Sequence, residues 1–294
     1  MGIRLGAKIP NSGELPLRLG VGRMAAALES AGFDSVWVSD HIVFPQEIQS
    51  PYPFSADGKV TWPLDAVYLE PMIMLAAAAA TTSTVELGTA ALVLPMRNPV
   101  HFAKEAASVD AMAGGRLVLG VAVGWLREEF DALGANFDAR GEVFDEWLTI
   151  ARACWTGEIK RFEGKHYRIP HDLYTRPRPP RPVPILIGGM SKAALRRAGA
   201  IADGWVAQSS MDMISEREIA DALDVIKAAA NEAGRSGRPR VAVRLPGVEG
   251  HEAELARRLT SLADAGVDEL IIDVDWKQPD GPARTLDALR TAAA

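Results

Sequence analysis

One histidine stands out for its neighbours. Ser39-Asp40-His41 directly follows a short apolar run, and an imidazole beside a carboxylate has the groups for proton transfer or for hydrogen bonding to a reacting ring. A histidine that merely caps the run, held by backbone groups, is the competing reading. The other histidines, at 101, 166, 171 and 251, fall in helical or inserted stretches, with no His-x-His and no His-Glu-x-x-His for a metal. The single cysteine, Cys154, lies in a helical stretch ending at Trp155, so it reads as a buried, inert thiol. Gly188-Gly189-Met190-Ser191 sits between an apolar run and a helix. Its two glycines admit a ligand to the backbone, and Ser191 is a natural cap for a helix N-terminus that attracts phosphate; a plain turn reads the same way. Gly120-Val121-Ala122-Val123-Gly124 lacks the G-x-G-x-x-G register of a dinucleotide fold, although Gly124 would let a flat ring approach the backbone. Asn98 before Pro99 reads as a helix cap, and Phe44 and Trp125 as an apolar wall. Arg244, Asp273 and Asp275 are either polar groups of a site or salt bridges at strand ends.

What positions these residues is a repeating order of elements. Short apolar runs at 3–9, 35–38, 85–93, 117–123, 184–187, 205–208, 241–245 and 269–274 are each followed by a helical stretch. Those stretches are expected at 18–31, 69–82, 100–112, 127–133 with 142–155, 191–202, 216–233, 252–265 and 283–293. The runs are apolar throughout rather than alternating, as parallel strands covered on both faces are. Eight strand–helix pairs close into an α/β (β/α)8 barrel, a single domain over 1–294, with loop insertions after strand 2 (His41 to Asp65) and before strand 5 (Thr156 to Arg181). The proline-dense run Arg176 to Pro182 reads as an extended, solvated strap. In such a barrel the chemistry belongs at the C-terminal strand ends, which include Lys8, Asp40-His41, Ala90 to Arg97, Val123 to Trp125, Gly188 to Ser191 and Arg244.

Composition narrows the class further. The 294 residues carry 32 Lys and Arg against 38 Asp and Glu, a net charge of −6 that argues against nucleic acid as a partner. The longest charge-free apolar stretch, Pro71 to Val85, is too short to span a bilayer, and Arg4 and Lys8 interrupt any leader segment. With one cysteine and no disulfide framework, a cytoplasmic protein acting on a small molecule is expected.

The run Gly114-Gly115-Arg116-Leu117-Val118-Leu119-Gly120-Val121-Ala122-Val123-Gly124-Trp125-Leu126-Arg127-Glu128-Glu129-Phe130, with Arg140-Gly141, Asp145-Glu146, Pro184 to Gly189 and Ala202-Asp203-Gly204-Trp205, resembles the bacterial luciferase-like monooxygenase family. The nearest branch is that of the F420-dependent oxidoreductases. The similarity runs from Ile3 to about Trp205, and beyond it only the barrel rhythm matches. The resemblance implies a homodimeric barrel enzyme with coenzyme F420, or alternatively FMN, across the mouth, and hydride transfer to a small organic substrate; a two-component FMN monooxygenase and a non-catalytic flavin-binding protein are the alternatives. It implies His41 as the catalytic residue near the reactive ring carbon and Asp40, Thr89, Ala90, Ala91, Val123, Gly124, Gly188, Gly189 and Ser191 as cofactor contacts. Thr89-Ala90-Ala91 matches a third-strand segment that the family builds as a bulge with a non-prolyl cis peptide. Two departures stand out: Trp125 replaces a Glu, and Pro45 a Trp, of some deazaflavin dehydrogenases, while Val123 occupies the place of a phosphate-binding Arg in luciferase-type flavin enzymes.

Overall fold

Eight parallel strands close on themselves in the computed structural model, which describes residues 2–55, 57–60 and 62–291. They are β1 (Arg4–Lys8), β2 (Ser35–Val38), β3 (Glu86–Val93), β4 (Leu117–Ala122), β9 (Ile185–Gly188), β10 (Gly204–Gln208), β11 (Arg240–Leu245) and β12 (Glu269–Ile272). The order around the barrel is β1-β12-β11-β10-β9-β4-β3-β2. Between β4 and β9 lie four two-residue strands, β5 (Glu158–Ile159), β6 (Phe162–Glu163), β7 (Arg168–Ile169) and β8 (Leu173–Tyr174), paired antiparallel as β5 with β8 and β6 with β7. The insertion expected as a loop before strand 5 is therefore a nested hairpin at its first part. The proline strap follows it, tied to the shell through Lys104 on the Arg176 carbonyl and Arg181 on the Gly115 carbonyl.

The outer shell is α1 (Leu15–Leu19), α2 (Val21–Ala31), α3 (Pro71–Ala79), α4 (Pro99–Met112), α5 (Arg127–Ala132), α6 (Arg140–Trp155), α7 (Lys192–Ile201), α8 (Glu216–Glu232), α9 (Glu252–Asp264) and α10 (Gly281–Thr291). The expected continuous helix 18–31 is two helices, because Gly20 sits at φ +84°, outside the helical region. Asn98 accepts from Val100 and His101 N–H and Ser191 from Ala194 N–H, so both expected caps are formed. Among the described residues α10 runs to Thr291; its expected extension to Ala293 lies outside them. Among the described residues no helix is long and apolar enough to cross a membrane.

Side chains that point into the barrel form layers. At the N-terminal end Glu269, fully buried, receives the Trp37 indole N–H at 3.2 Å and also Ser35 and Arg240, while Glu86 takes Arg4 and Arg240 at 2.7 Å each. Above it Trp37, Val118, Leu186, Val206, Ala242 and Ile271 fill the centre. Gly6 and Gly88 exist to make room for Trp37: a Cβ on Gly88 would overlap the indole ring, and one on Gly6 would press on its N–H. The topmost inward positions are Lys8, Gln208, Arg244 and Asp273 on one arc, and Ala90, Ala91, Ala122 and Gly188 on the other.

Candidate active site

His41 leaves the end of β2 and is held from the end of β4. Its Nδ1 donates to Glu129 Oε2 at 3.0 Å, and Glu129 Oε1 accepts the backbone N–H groups of Ile42 (2.6 Å) and Val43 (3.2 Å). Glu129 is 1% exposed, so this carboxylate is spent entirely on the histidine loop. Nε2 of His41 has no hydrogen-bond partner among the described residues and is free for a ligand. The ring stands inside an aromatic cage: Phe44 at 4.5 Å between centroids, Tyr68 at 5.8 Å, Trp125 at 6.0 Å and Trp62 at 6.4 Å. Burial, with Asp40 nearby, holds the Tyr68 phenol well above its ordinary value, so it remains a protonated donor.

The cage belongs to the long loop between β2 and α3, and the loop is stapled to the barrel by polar contacts. Asn11 donates to the Ser39 and Leu69 carbonyls (2.8 and 3.1 Å) and accepts Ser39 N–H at 2.8 Å, tying both ends together. Glu128, next to Glu129 in the first turn of α5, accepts Gln49 N–H at 2.7 Å and Ser50 N–H at 3.0 Å. Tyr52 packs on Trp62 and Trp125, each at 5.1 Å, and its hydroxyl accepts from Gln208 at 3.2 Å, reaching the far arc of the mouth.

Several of the expected contacts are engaged within the protein itself. Asp40 does not face the mouth: its two oxygens take Val93 N–H (2.7 Å) and both Arg97 guanidinium nitrogens (2.6 and 2.7 Å) in a buried fork, beneath the histidine. Thr89 is fully buried and its hydroxyl donates to the Gly120 carbonyl at 2.7 Å, which puts it behind the floor rather than on it. Gly124 is a glycine for packing reasons, since at φ +86° its Cβ would collide with Val93 and Phe130. Val123, half-buried, packs against the core. Cys154 is buried in α6 and burial pushes its thiol up to about 11, as an inert residue requires.

What remains on the mouth is a floor with almost no side chains. The register of β3 against β4 shifts between Thr89 and Leu92, and the Ala90–Ala91 peptide is cis. A Cβ on Gly188 would lie 3.1 Å from that of Ala91 and 3.4 Å from that of Ala122, so the three strands leave a shallow cradle that one methyl group would begin to fill. Beyond it Gly189, at φ +119°, turns the chain into α7 with its carbonyl held by Trp205 Nε1 at 2.8 Å and with Ser191 exposed at the helix N-terminus. A planar ring fits such a floor and a phosphate fits such a helix start. On the opposite arc Arg244 donates to Asp273 at 2.6 Å, while Asp275 leaves the mouth and pairs with Arg284 at 3.2 Å. The strand-end ion pair and the polar mouth are thus the same feature for Arg244 and Asp273, and Asp275 is structural.

Glu129 and Lys8 carried no role in the sequence reading. Glu129 shares a helix face with Leu126, Phe130 and Leu133, and an acid on an apolar face is the available signal of a buried carboxylate. Lys8 ends an apolar strand at the C-terminal side, where a charge must look into the mouth.

A sequence model of the luciferase-like monooxygenase family matches residues 16–290, well past the Trp205 limit of the expected resemblance. The chain belongs to this family and is an enzyme of the oxidoreductase or monooxygenase class. An uncharacterised protein of Mycobacterium tuberculosis is 34% identical over 249 residues, covering 85% of this chain and 83% of the relative. The F420-dependent glucose-6-phosphate dehydrogenase of Kineococcus radiotolerans is 30% identical over 220 residues, 73% of this chain and 60% of that enzyme. Among solved structures, an F420-dependent secondary alcohol dehydrogenase in complex with an F420–acetone adduct has a TM-score of 0.79 at 17% identity, with full coverage of both chains. The oxygenating constituent of 3,6-diketocamphane monooxygenase of Pseudomonas putida, in complex with FMN, has a TM-score of 0.74 at 17% identity, covering 100% of this chain and 98% of that one. At those identities the structures establish the barrel fold.

Proposed function

We propose that this chain is an oxidoreductase that uses reduced coenzyme F420 to reduce a small organic acceptor. The observation that carries the reading is the His41–Glu129 pair, anchored at 3.0 Å with its second ring nitrogen free, inside an aromatic cage at the barrel mouth. Identity to an F420-dependent dehydrogenase supports the choice of cofactor. Gly188, Ala91 and Ala122 would receive the planar ring, and the N-terminus of α7 at Gly189 and Ser191 the phosphate of its tail. When bound, the reduced deazaflavin supplies the hydride. His41 orients the ring or supplies a proton through Nε2, Glu129 fixes the imidazole, and the aromatic cage keeps water from the reacting face. The test is a parallel titration of the purified protein with F420 and FMN. Tight F420 binding and acceptor-dependent reoxidation are expected; binding of FMN alone would overturn the reading.

The same fold hosts an FMN monooxygenase, which makes a flavin-dependent oxygenase the second reading. Oxygen consumption tied to reduced FMN, without F420, decides for it. We extend the first reading to a cytoplasmic homodimer, with exposed Leu17, Ile73 and Met112 of the helical shell as apolar surface for the second copy; sedimentation checks the assembly.

A further inference from the structure

Beside the mouth, where β1 and β12 end and α1 begins, lies a cavity of about 290 Å³. Its wall carries three acids and three bases, but the acids are taken by partners other than Lys8 and Arg18. Asp273 is taken by Arg244 at 2.6 Å, Asp275 by Arg284 at 3.2 Å and by the Lys277 N–H at 2.7 Å, and Glu249 by the Lys277 ammonium at 2.5 Å. Lys8 and Arg18 line the same cavity, and neither side chain has a hydrogen-bond or ion-pair partner among the described residues. The indole N–H of Trp276, another lining residue, is buried and likewise without a partner. Three donors without a hydrogen-bond partner among the described residues, two cations and one indole N–H, thus meet in one cavity, beside three carboxylates already engaged by Arg244, Arg284 and Lys277. Burial and the adjacent Arg244 cation, opposed by Asp273, push the Lys8 ammonium down to about 8, as expected of a cation waiting for an anion. The remaining wall is apolar, with Leu15 and the Trp276 ring.

We propose that this cavity recognises an oxyanionic group, carboxylate or phosphate, of the organic substrate, bound by Lys8, Arg18 and the Trp276 N–H with the apolar body against Leu15 and the indole. The proposal rests on the oxidoreductase reading for calling the ligand a substrate. Barrel order assigns the anion to the substrate rather than to the cofactor tail: β1 and β12 stand diametrically across the ring from β9 and β4, where the small-residue floor and the α7 turn offer the cofactor its place.

The test titrates the purified full-length protein with inorganic phosphate and with benzoate, following tryptophan fluorescence, and separately with F420. One-to-one anion binding is expected. Arg18→Gln and Lys8→Met should each weaken it about tenfold or more, the worth of a charge-assisted contact, while leaving F420 affinity unchanged. Lys8→Arg should retain most of the binding and Trp276→Phe should lose a smaller part, so a merely misfolded variant is recognised. No anion binding by the wild type, or binding indifferent to these substitutions, overturns the proposal. Parallel loss of F420 affinity in the same variants also overturns it, by giving the anion site to the cofactor tail. Anion binding that persists in a protein unable to bind F420 sinks the choice of F420 as cofactor instead and leaves the cavity assignment standing.

Discussion

At the scale of single residues the site depends on how one imidazole is held. Glu129 uses one oxygen for His41 and the other for the two N–H groups that follow it, so the histidine and its loop are set by one buried carboxylate. His41→Ala is expected to lower kcat by roughly 100-fold or more, the ordinary worth of a positioned acid or base, with F420 affinity within a few-fold of wild type. Glu129→Gln keeps the volume but replaces a carboxylate by an amide, and kcat should fall about tenfold with little change in KM, a split that a merely structural role would not give. Steady-state kinetics on both variants check the pair. Lys8 gives the pH counterpart. Its ammonium titrates near 8, so the cation is present at pH 7 and mostly gone at pH 9, and anion affinity should fall across that window. Lys8→Arg should abolish the fall, because guanidinium does not titrate there.

Elements locate the residues, and they do so through a few tight contacts. The fork between Asp40 and Arg97 joins the end of β2 to the turn after β3, with Arg97 9% and Asp40 0% exposed at the side chain. Arg97→Met leaves a buried carboxylate without its cation and should cost about 3–5 kcal/mol by urea unfolding. Trp37 on β2 spans the barrel interior because its neighbours β1 and β3 supply glycine at the facing positions. Gly88→Ala should destabilise by about 1–3 kcal/mol, since the added methyl has only the rigid indole to displace. The consecutive acids Glu128 and Glu129 are the α5 contribution. Their place in the first turn after β4 aims both at the backbone of the loop from β2, where they act as a clasp. This pairing was hidden in the sequence because 88 residues separate His41 from Glu129, and nothing in local spacing records which loop crosses which strand end.

For the whole molecule, acid should be a weak point of the shell. Glu29 on α2 is partly desolvated, which raises a carboxyl, yet hydrogen bonds from four donors of Ser83, Thr84 and Val85 hold it at about 2. A carboxyl depressed in the folded state contributes stability above its unfolded value near 4.5 and loses it as pH falls toward 2. Tm of the wild type should therefore drop below pH 4.5, and Glu29→Gln should be less stable at neutral pH with a shallower acid limb. The sequence by itself determined the eight strand–helix pairs, the two insertions, the capped starts of α4 and α7 and the candidacy of His41. Periodicity, breakers and caps are local, so most of them are legible along the chain, although the break at Gly20 and the hairpin strands β5–β8 are not. Strand ends near the mouth were equally legible, Lys8 and Arg244 among them. Tertiary structure alone decided what each of these touches: Asp40 turned to Arg97, Thr89 went behind the floor, Gly124 packs against Val93 and Phe130, and Glu129 came to hold His41. The physical reason is that a side chain's role depends on what closes around it. In a barrel those partners come from strands adjacent in space and far apart in sequence, where burial and pairing, unlike periodicity, leave no local trace.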